Sequence, residues 1–196
     1  MKRSLGNIHY IQQKKVNKLH EIFAIPIFET NLELDTEEIK LFCKEYQQNH
    51  ESSTKSNNGG YQSHNLSSTT PVLQSLIREI EWATSRGMNG KPQIVFNMWF
   101  NVNRYKDSNL PHFHPYAVYS GVYYVKTPEN CGTIIFEHPA MDLLHYYNNA
   151  KEGWYFLPAI ENTLYIFPSW LKHLVQANEN KEEERISISF NTSNGV

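Results

Sequence analysis

The stretch that decides the reading is "PHFHPYAVYSGVYYV", residues 111–125. Two histidines flank one phenylalanine, and a run of strand-forming residues follows. In an extended chain side chains alternate with period two, so His112 and His114 share a face and can point at one cation. Alone, such a pair is also compatible with ordinary hydrogen-bonding roles, because imidazole is both a common metal ligand and a common polar side chain. A third ligand has to come from a distant strand. The candidate is His173 in "NTLYIFPSWLKHLVQAN" (162–178), where a strand runs into Phe167-Pro168 and a turn before the histidine opens a new apolar segment.

Twelve residues further on, "ERISISFN" (184–191) alternates strictly. Arg185, Ser187, Ser189 and Asn191 fall on one face, and Ile186, Ile188 and Phe190 on the other. A charged residue in a core strand needs a partner. The partner is either a nearby glutamate, Glu182 to Glu184, or a carboxylate brought by a ligand and held by the guanidinium fork.

Around this centre the chain reads as one domain of 196 residues, 40% hydrophobic and 13% aromatic. A formal net charge of −2 gives no nucleic-acid signal. Two cysteines, Cys43 and Cys131, are too few for a disulfide framework and suit a reducing, cytoplasmic setting. No stretch reaches the ~18 apolar residues of a membrane span. Residues 1–20 read as a polar tail, and 21–196 as a single unit with helical support over 35–86 and a strand-rich core over 93–191. "IFAIPIFETNL" (22–32) carries Pro26 and suits an edge strand. A helix is expected over 35–50, capped by Asp35 with Glu38 at the capping-box position. A second is expected over 69–86, with Thr70 as cap and Pro71 at the first helical position. Strands are expected over 93–105, 118–126, 132–137, 153–157, 163–168 and 184–191, with a partly helical insert over 138–152. The loop over 51–68 is long enough to be functional, and its Gln62, Ser63 and His64 are placed to reach a site mouth. Helices followed by short strands suggest two sheets with helices on one side.

The order His-x-His, "SGVYYV", "CGTIIF", "FPSWLKHLV", "RISISFN" resembles the Fe(II)/2-oxoglutarate-dependent oxygenases, in particular an uncharacterised branch of bacteria and phages, and more distantly the prolyl hydroxylases. The resemblance covers roughly residues 94–191. It implies a mainly β double-stranded β-helix, a jelly-roll barrel, with Fe(II) at one mouth and 2-oxoglutarate and O2 as cosubstrates. It implies His112 and His173 as metal ligands, Arg185 and Ser187 on the far carboxylate of 2-oxoglutarate, Tyr124 and Tyr105 as cosubstrate-pocket tyrosines, and Val175 as a wall of the site. Asn97, Trp99, Asn101, Asn103 and Tyr105 share one strand face, and a stripe that polar suits a wet pocket, with Asn103 counted among the cosubstrate contacts. The implied reaction is hydroxylation of a small-molecule or peptidyl substrate with release of succinate and CO2, by a monomer or homodimer.

One departure stands out. The usual triad is two histidines and a carboxylate, and here His114 occupies the carboxylate position. Either His114 ligates, or water or a carboxylate such as Asp107 completes the set. The competing readings are a cupin-type metalloprotein, a zinc lyase or hydrolase, and a catalytically silent barrel. The lack of a glutamate in "HPYAVYS" (114–120) counts against the first.

Overall fold

The computed structural model describes residues 24–88, 90–146 and 153–195. The expected tail over 1–20 lies outside them. Eleven strands and three α-helices appear among the described residues. Strand β1 (Phe28–Asn31) leads to helix α1 (Thr36–Asn49), then to the two-residue strands β2 (Asn57–Asn58) and β3 (Tyr61–Gln62). Helix α2 (Gln74–Ala83) follows, and then β4 (Gln93–Asn103), β5 (Ser108–His112), β6 (Tyr119–Lys126), β7 (Thr133–Glu137) and helix α3 (Met141–Tyr146). The chain closes with β8 (Trp154–Pro158), β9 (Thr163–Pro168), β10 (His173–Val175) and β11 (Arg185–Asn194).

The strands form two antiparallel sheets, ordered β1-β9-β6-β11-β4-β3 and β2-β5-β10-β7-β8. Side chains alternate across each sheet, so the large sheet carries two distinct layers. Ile186, Ile188 and Phe190 of β11 join Phe100 of β4 and Tyr123 of β6 under the helices, where they meet Ile39 and Cys43 of α1 and Leu76 and Ile80 of α2. On the opposite face Val122, Tyr124, Tyr165 and Phe167 pack against Ile134, Phe136 and Leu157 of the second sheet. This is the two-sheet arrangement that the strand pattern suggests and the jelly roll that the family resemblance implies.

The helices form where expected. The Asp35 carboxylate accepts from the backbone N–H groups of Glu37 and Glu38, which satisfies two otherwise orphaned donors of α1. The second helix departs from the expectation. Thr70 makes no side-chain cap; Pro71 opens a short 3-10 turn, and a π-helical turn over Thr84–Met88 ends the segment. The Thr84 hydroxyl donates to the carbonyls of Ile80 and Glu81 there. β1 lies at an edge of its sheet, with Pro26 just before it, as Pro requires.

Two expectations need correction. β5 and β10 were not foreseen. β4 ends at Asn103 rather than 105. The Asp107 carboxylate accepts from the Arg104 N–H, the Asp107 N–H donates to the Arg104 carbonyl, and Lys106 is left-handed (φ 69°), so the chain turns away. Tyr105 therefore leaves the polar face it was expected to share.

Leu76 of α2 is fully buried beneath the large sheet. Leu76→Ala is expected to destabilise the protein by about 2–5 kcal/mol, read as a lower midpoint in urea unfolding, with metal binding intact at temperatures where the variant is folded.

Candidate metal centre and cosubstrate cavity

Short pairings bring the histidines together. β10 lies between β5 and β7, with His173 opposite His112 on one side and Phe136 on the other. His114 lies two residues beyond the end of β5, and its N–H donates to the Ser169 carbonyl (2.9 Å), which ties this segment to the turn before β10. The ligand nitrogens of His112, His114 and His173 all lie within 4.8 Å of one another. Ring centroids are 4.9 Å apart for His112–His114, 4.4 Å for His112–His173 and 5.2 Å for His114–His173.

Two of the rings are held by backbone. His112 Nδ1 bonds the Leu110 carbonyl at 2.7 Å, and His173 Nδ1 bonds the Leu171 carbonyl at 2.9 Å. A carbonyl only accepts, so each Nδ1 carries the proton and each Nε2 keeps its lone pair, the usual arrangement behind a ligating histidine. Burial pushes the His114 imidazole down to about 4, with the neighbouring His112 adding to the effect. Burial also lowers His112, against the opposing bond to Leu110, and holds His173 well below the ordinary value. Three neutral imidazoles with converging lone pairs are a metal-ready donor set.

The trio sits where two cavities meet. A narrow one runs between the sheets, lined by Trp99 and Asn101 of β4, Tyr124 of β6, Val175 of β10, and Ser187 and Ser189 of β11. One pleat beyond Ser187 lies Arg185, which is fully buried. Its Nη1 donates to the carbonyls of Cys131 and Gln176 (3.2 Å to the latter), while Nε and Nη2 have no partner among the described residues. The nearby glutamates do not fill the gap: Glu183 and Glu184 both pair with Lys126 at 3.2 Å. The Tyr124 hydroxyl, also unpartnered, interacts electrostatically with Arg185 and is paired in register with Ser187 through the β6–β11 ladder. Burial raises the Tyr124 phenol well above its ordinary value, with Arg185 opposing, so it remains a neutral donor. A buried guanidinium edge and a phenol, both without acceptors, fit an anionic oxygen ligand.

Of the expected site residues, His112, His114, His173, Tyr124, Ser187 and Val175 line this cavity, and Arg185 lies beside it. Asn103 is buried opposite Arg185 in the β4–β11 ladder, with its side-chain carbonyl unpartnered, but it does not line the cavity. Tyr105 is not part of it. Carried out by the turn after β4, it is 42% exposed with the ammonium groups of Lys106 and Lys181 at 5.1 and 5.8 Å from its ring centre. Asp107 fixes that same turn and does not line either cavity; among the described residues no carboxylate does. His138 caps its own turn, accepting from the Ala140 N–H.

Two polar lining residues escaped the sequence reading. Asn109 and His112 are three apart and so fall on opposite faces by strict alternation. The β5–β10 register shifts between His173 and Val175, so that Asn109 faces Val175, and this irregularity turns Asn109 into the cavity. Ser56 enters through β2, too short to carry a period.

A double-stranded β-helix with clustered histidines and a buried arginine is the arrangement that the resemblance to the Fe(II)/2-oxoglutarate-dependent oxygenases implies, with His114 standing where the usual carboxylate would be. Residues 97–191 match the family model described as "Putative 2OG-Fe(II) oxygenase". No curated protein matches the sequence. Among solved structures the chain is similar to a prolyl-4-hydroxylase from Pseudomonas putida, 12% identical over 87% of this chain and 94% of that one, with a TM-score of 0.63. It is also similar to HygX from Streptomyces hygroscopicus with nickel and 2-oxoglutarate bound (10% identical, 88% and 84% covered, TM-score 0.63). A third similar structure is the viral collagen prolyl hydroxylase of Paramecium Bursaria Chlorella virus-1 in its 2OG complex (12%, 85% and 94%, TM-score 0.60). These likenesses establish the fold.

If the three imidazoles are the donor set, His173→Ala and His114→Ala each lose stoichiometric Fe(II) or Zn(II) in metal analysis after dialysis. Asp107→Asn retains it.

Proposed function

We propose that this protein is an Fe(II)- and 2-oxoglutarate-dependent oxygenase that hydroxylates a small-molecule or peptidyl substrate, with metal ligands His112, His114 and His173. The observation that carries the reading is the presence of two groups in one interior: a neutral histidine trio that could hold a metal, and an arginine whose Nε and Nη2 have no acceptor among the described residues. A zinc lyase or hydrolase would use the trio but leave Arg185 without a purpose.

Fe(II) with 2-oxoglutarate supplies the oxidising chemistry from O2 that hydroxylates a C–H bond and releases succinate and CO2. The chain's own residues do the positioning. The Leu110 and Leu171 carbonyls hold His112 and His173 in the tautomer that presents Nε2. Arg185 offers its free edge to the far carboxylate of the cosubstrate, and the Tyr124 and Ser187 hydroxyls donate from the neighbouring strand positions. Phe167, Ile134 and Val175 wall the cavity with apolar surface, which limits water and strengthens those polar contacts. With three neutral ligands the site leaves the cation's charge to be balanced by the carboxylates that enter.

Anaerobic titration of the apo protein with Fe(II) and then 2-oxoglutarate should produce the visible metal-to-ligand charge-transfer band, absent in His173→Ala. Arg185→Ala should still take up metal but bind 2-oxoglutarate weaker by about 2–5 kcal/mol, since one partner of a buried charge pair is removed; that is roughly 30-fold to several-thousand-fold in Kd. No band, with zinc tightly retained, overturns the oxygenase reading.

A further inference from the structure

The second cavity at the trio, about 850 Å³, opens outward and shares Ser56, Trp99, His112 and His114 with the narrow one. Three asparagines stand in its wall: Asn65, Asn97 and Asn191. The segment around Asn65 is held along β4, where the Ser63 N–H donates to the Phe100 carbonyl at 2.9 Å and the Leu66 N–H to the Met98 carbonyl at 2.7 Å. The three amides form one directional row. Asn65 Oδ1 accepts from the Met98 N–H at 2.9 Å. A backbone N–H only donates, so this bond settles which end of the Asn65 amide is oxygen. Asn97 Nδ2 then donates to the same oxygen at 2.9 Å, Asn191 Nδ2 donates to Asn97 Oδ1 at 3.1 Å, and Ser120 Oγ donates to Asn191 Oδ1 at 2.6 Å. Every amide oxygen in the row thus holds a donor, and that of Asn65 holds two. The exposed Asn65 Nδ2 has no partner among the described residues, and the Nδ2 groups of Asn97 and Asn191 each keep one hydrogen unused. What the row has left to offer a ligand is mainly N–H.

The geometry points to a carboxylate-recognition site in this outer cleft, with Asn65, Asn97 and Asn191 as specificity-determining residues for the substrate. That the ligand is the substrate rests on the oxygenase reading. Among the described residues lining the cleft no side chain is negative, and Lys55 stands there exposed and without an ion pair among them. An exposed ammonium alone contributes little, so the amide row carries the recognition and Lys55 adds the sign. Hydrogen bonds to an ionised acceptor are roughly twice as strong as neutral ones, so a row of donors favours a carboxylate over a carbonyl or hydroxyl. An ammonium ligand would face N–H groups and a second ammonium. A phosphate carries about two charges near neutrality, and the cleft supplies one full cation. Beside the row, Trp99, Leu110 and Phe113 offer apolar surface, the latter two 52% and 55% exposed. The ligand class is therefore a monocarboxylate on an apolar or aromatic body.

The test compares 3-phenylpropanoate with 3-phenylpropanamide, the same body with a neutral head. Binding is measured by ligand-observed NMR titration on protein loaded with Zn(II) and 2-oxoglutarate, and on the unloaded protein. The acid is expected to bind on the order of tenfold more tightly than the amide in both states, as charge-assisted bonds allow, and excess 2-oxoglutarate should not displace it. Asn65→Asp keeps an oxygen for the Met98 N–H and for Asn97 but replaces the free NH2 by a second oxygen. In that variant the preference should vanish or invert, with the melting temperature and 2-oxoglutarate binding unchanged. Should Asn65→Asp melt far below the parent, Lys55→Glu, which leaves the row untouched, must remove the preference instead. Equal binding of the two probes, binding of neither, or a preference that survives in a folded Asn65→Asp overturns the assignment. A preference seen only with Zn(II) bound places the acid on the metal, and displacement by 2-oxoglutarate places it on Arg185; either overturns it too. Failure to load Zn(II) or 2-oxoglutarate, with the acid preference present in the unloaded protein and lost in Asn65→Asp, faults the oxygenase reading alone.

Discussion

A guanidinium buried to zero exposure, with partners for only one of its three nitrogens, is the constraint around which this molecule is arranged. An uncompensated buried charge is among the most destabilising things a core can contain. It persists because the surroundings are rigid. Arg185 begins the longest-paired strand of the large sheet, held by β4 on one side and β6 on the other, and the far face of that strand is locked under two helices. One side of β11 is an ordinary apolar core and the other is a polar wall, and the first makes the second tolerable.

The same division explains what could be read from the sequence. Period two in "ERISISFN" separated the layers correctly, because β11 is regular through Arg185–Asn191 against β4. The long strands and α1 were legible for the same reason, each having enough turns or pleats to express a period and, for α1, a capping aspartate. Legibility failed where the local backbone departs from regularity. β2, β5 and β10 are short, and the shifted register of β5 against β10 moves Asn109 onto the face of His112. Tyr105 was misplaced because a side-chain bond from Asp107 ends the strand two residues early, a tertiary choice that alternation cannot announce. The His-x-His spacing was readable, but that His173 stands directly opposite His112 is a fact of strand order.

Substitution of the usual carboxylate by His114 changes the electrostatics of the centre more than its shape. Each of the three imidazoles is driven toward the neutral form, mainly by burial. Among the described residues lining the two cavities there is no negative side chain to offset a divalent ion. On the proposed reading, positive charge from the metal and from Arg185 would be left for incoming anions to neutralise, which would couple metal and cosubstrate in affinity. Three neutral imidazoles would also suit Zn, Cu and Ni as well as Fe.

The position of β11 has a consequence for how the molecule comes into being. Among the described strands it is the last in chain order, yet it lies in the middle of its sheet, between β4 and β6. Until it docks, β4 and β6 each present an unpaired edge with exposed apolar residues, a template for the wrong partner. Its partners lie far back along the chain, so the closing step carries a high contact order and is expected to be slow. Docking of that one strand joins the halves of the sheet and brings the arginine into the interior. Before that step β5 and β10 can already pair and set His112 beside His173, while the arginine still lies outside the interior.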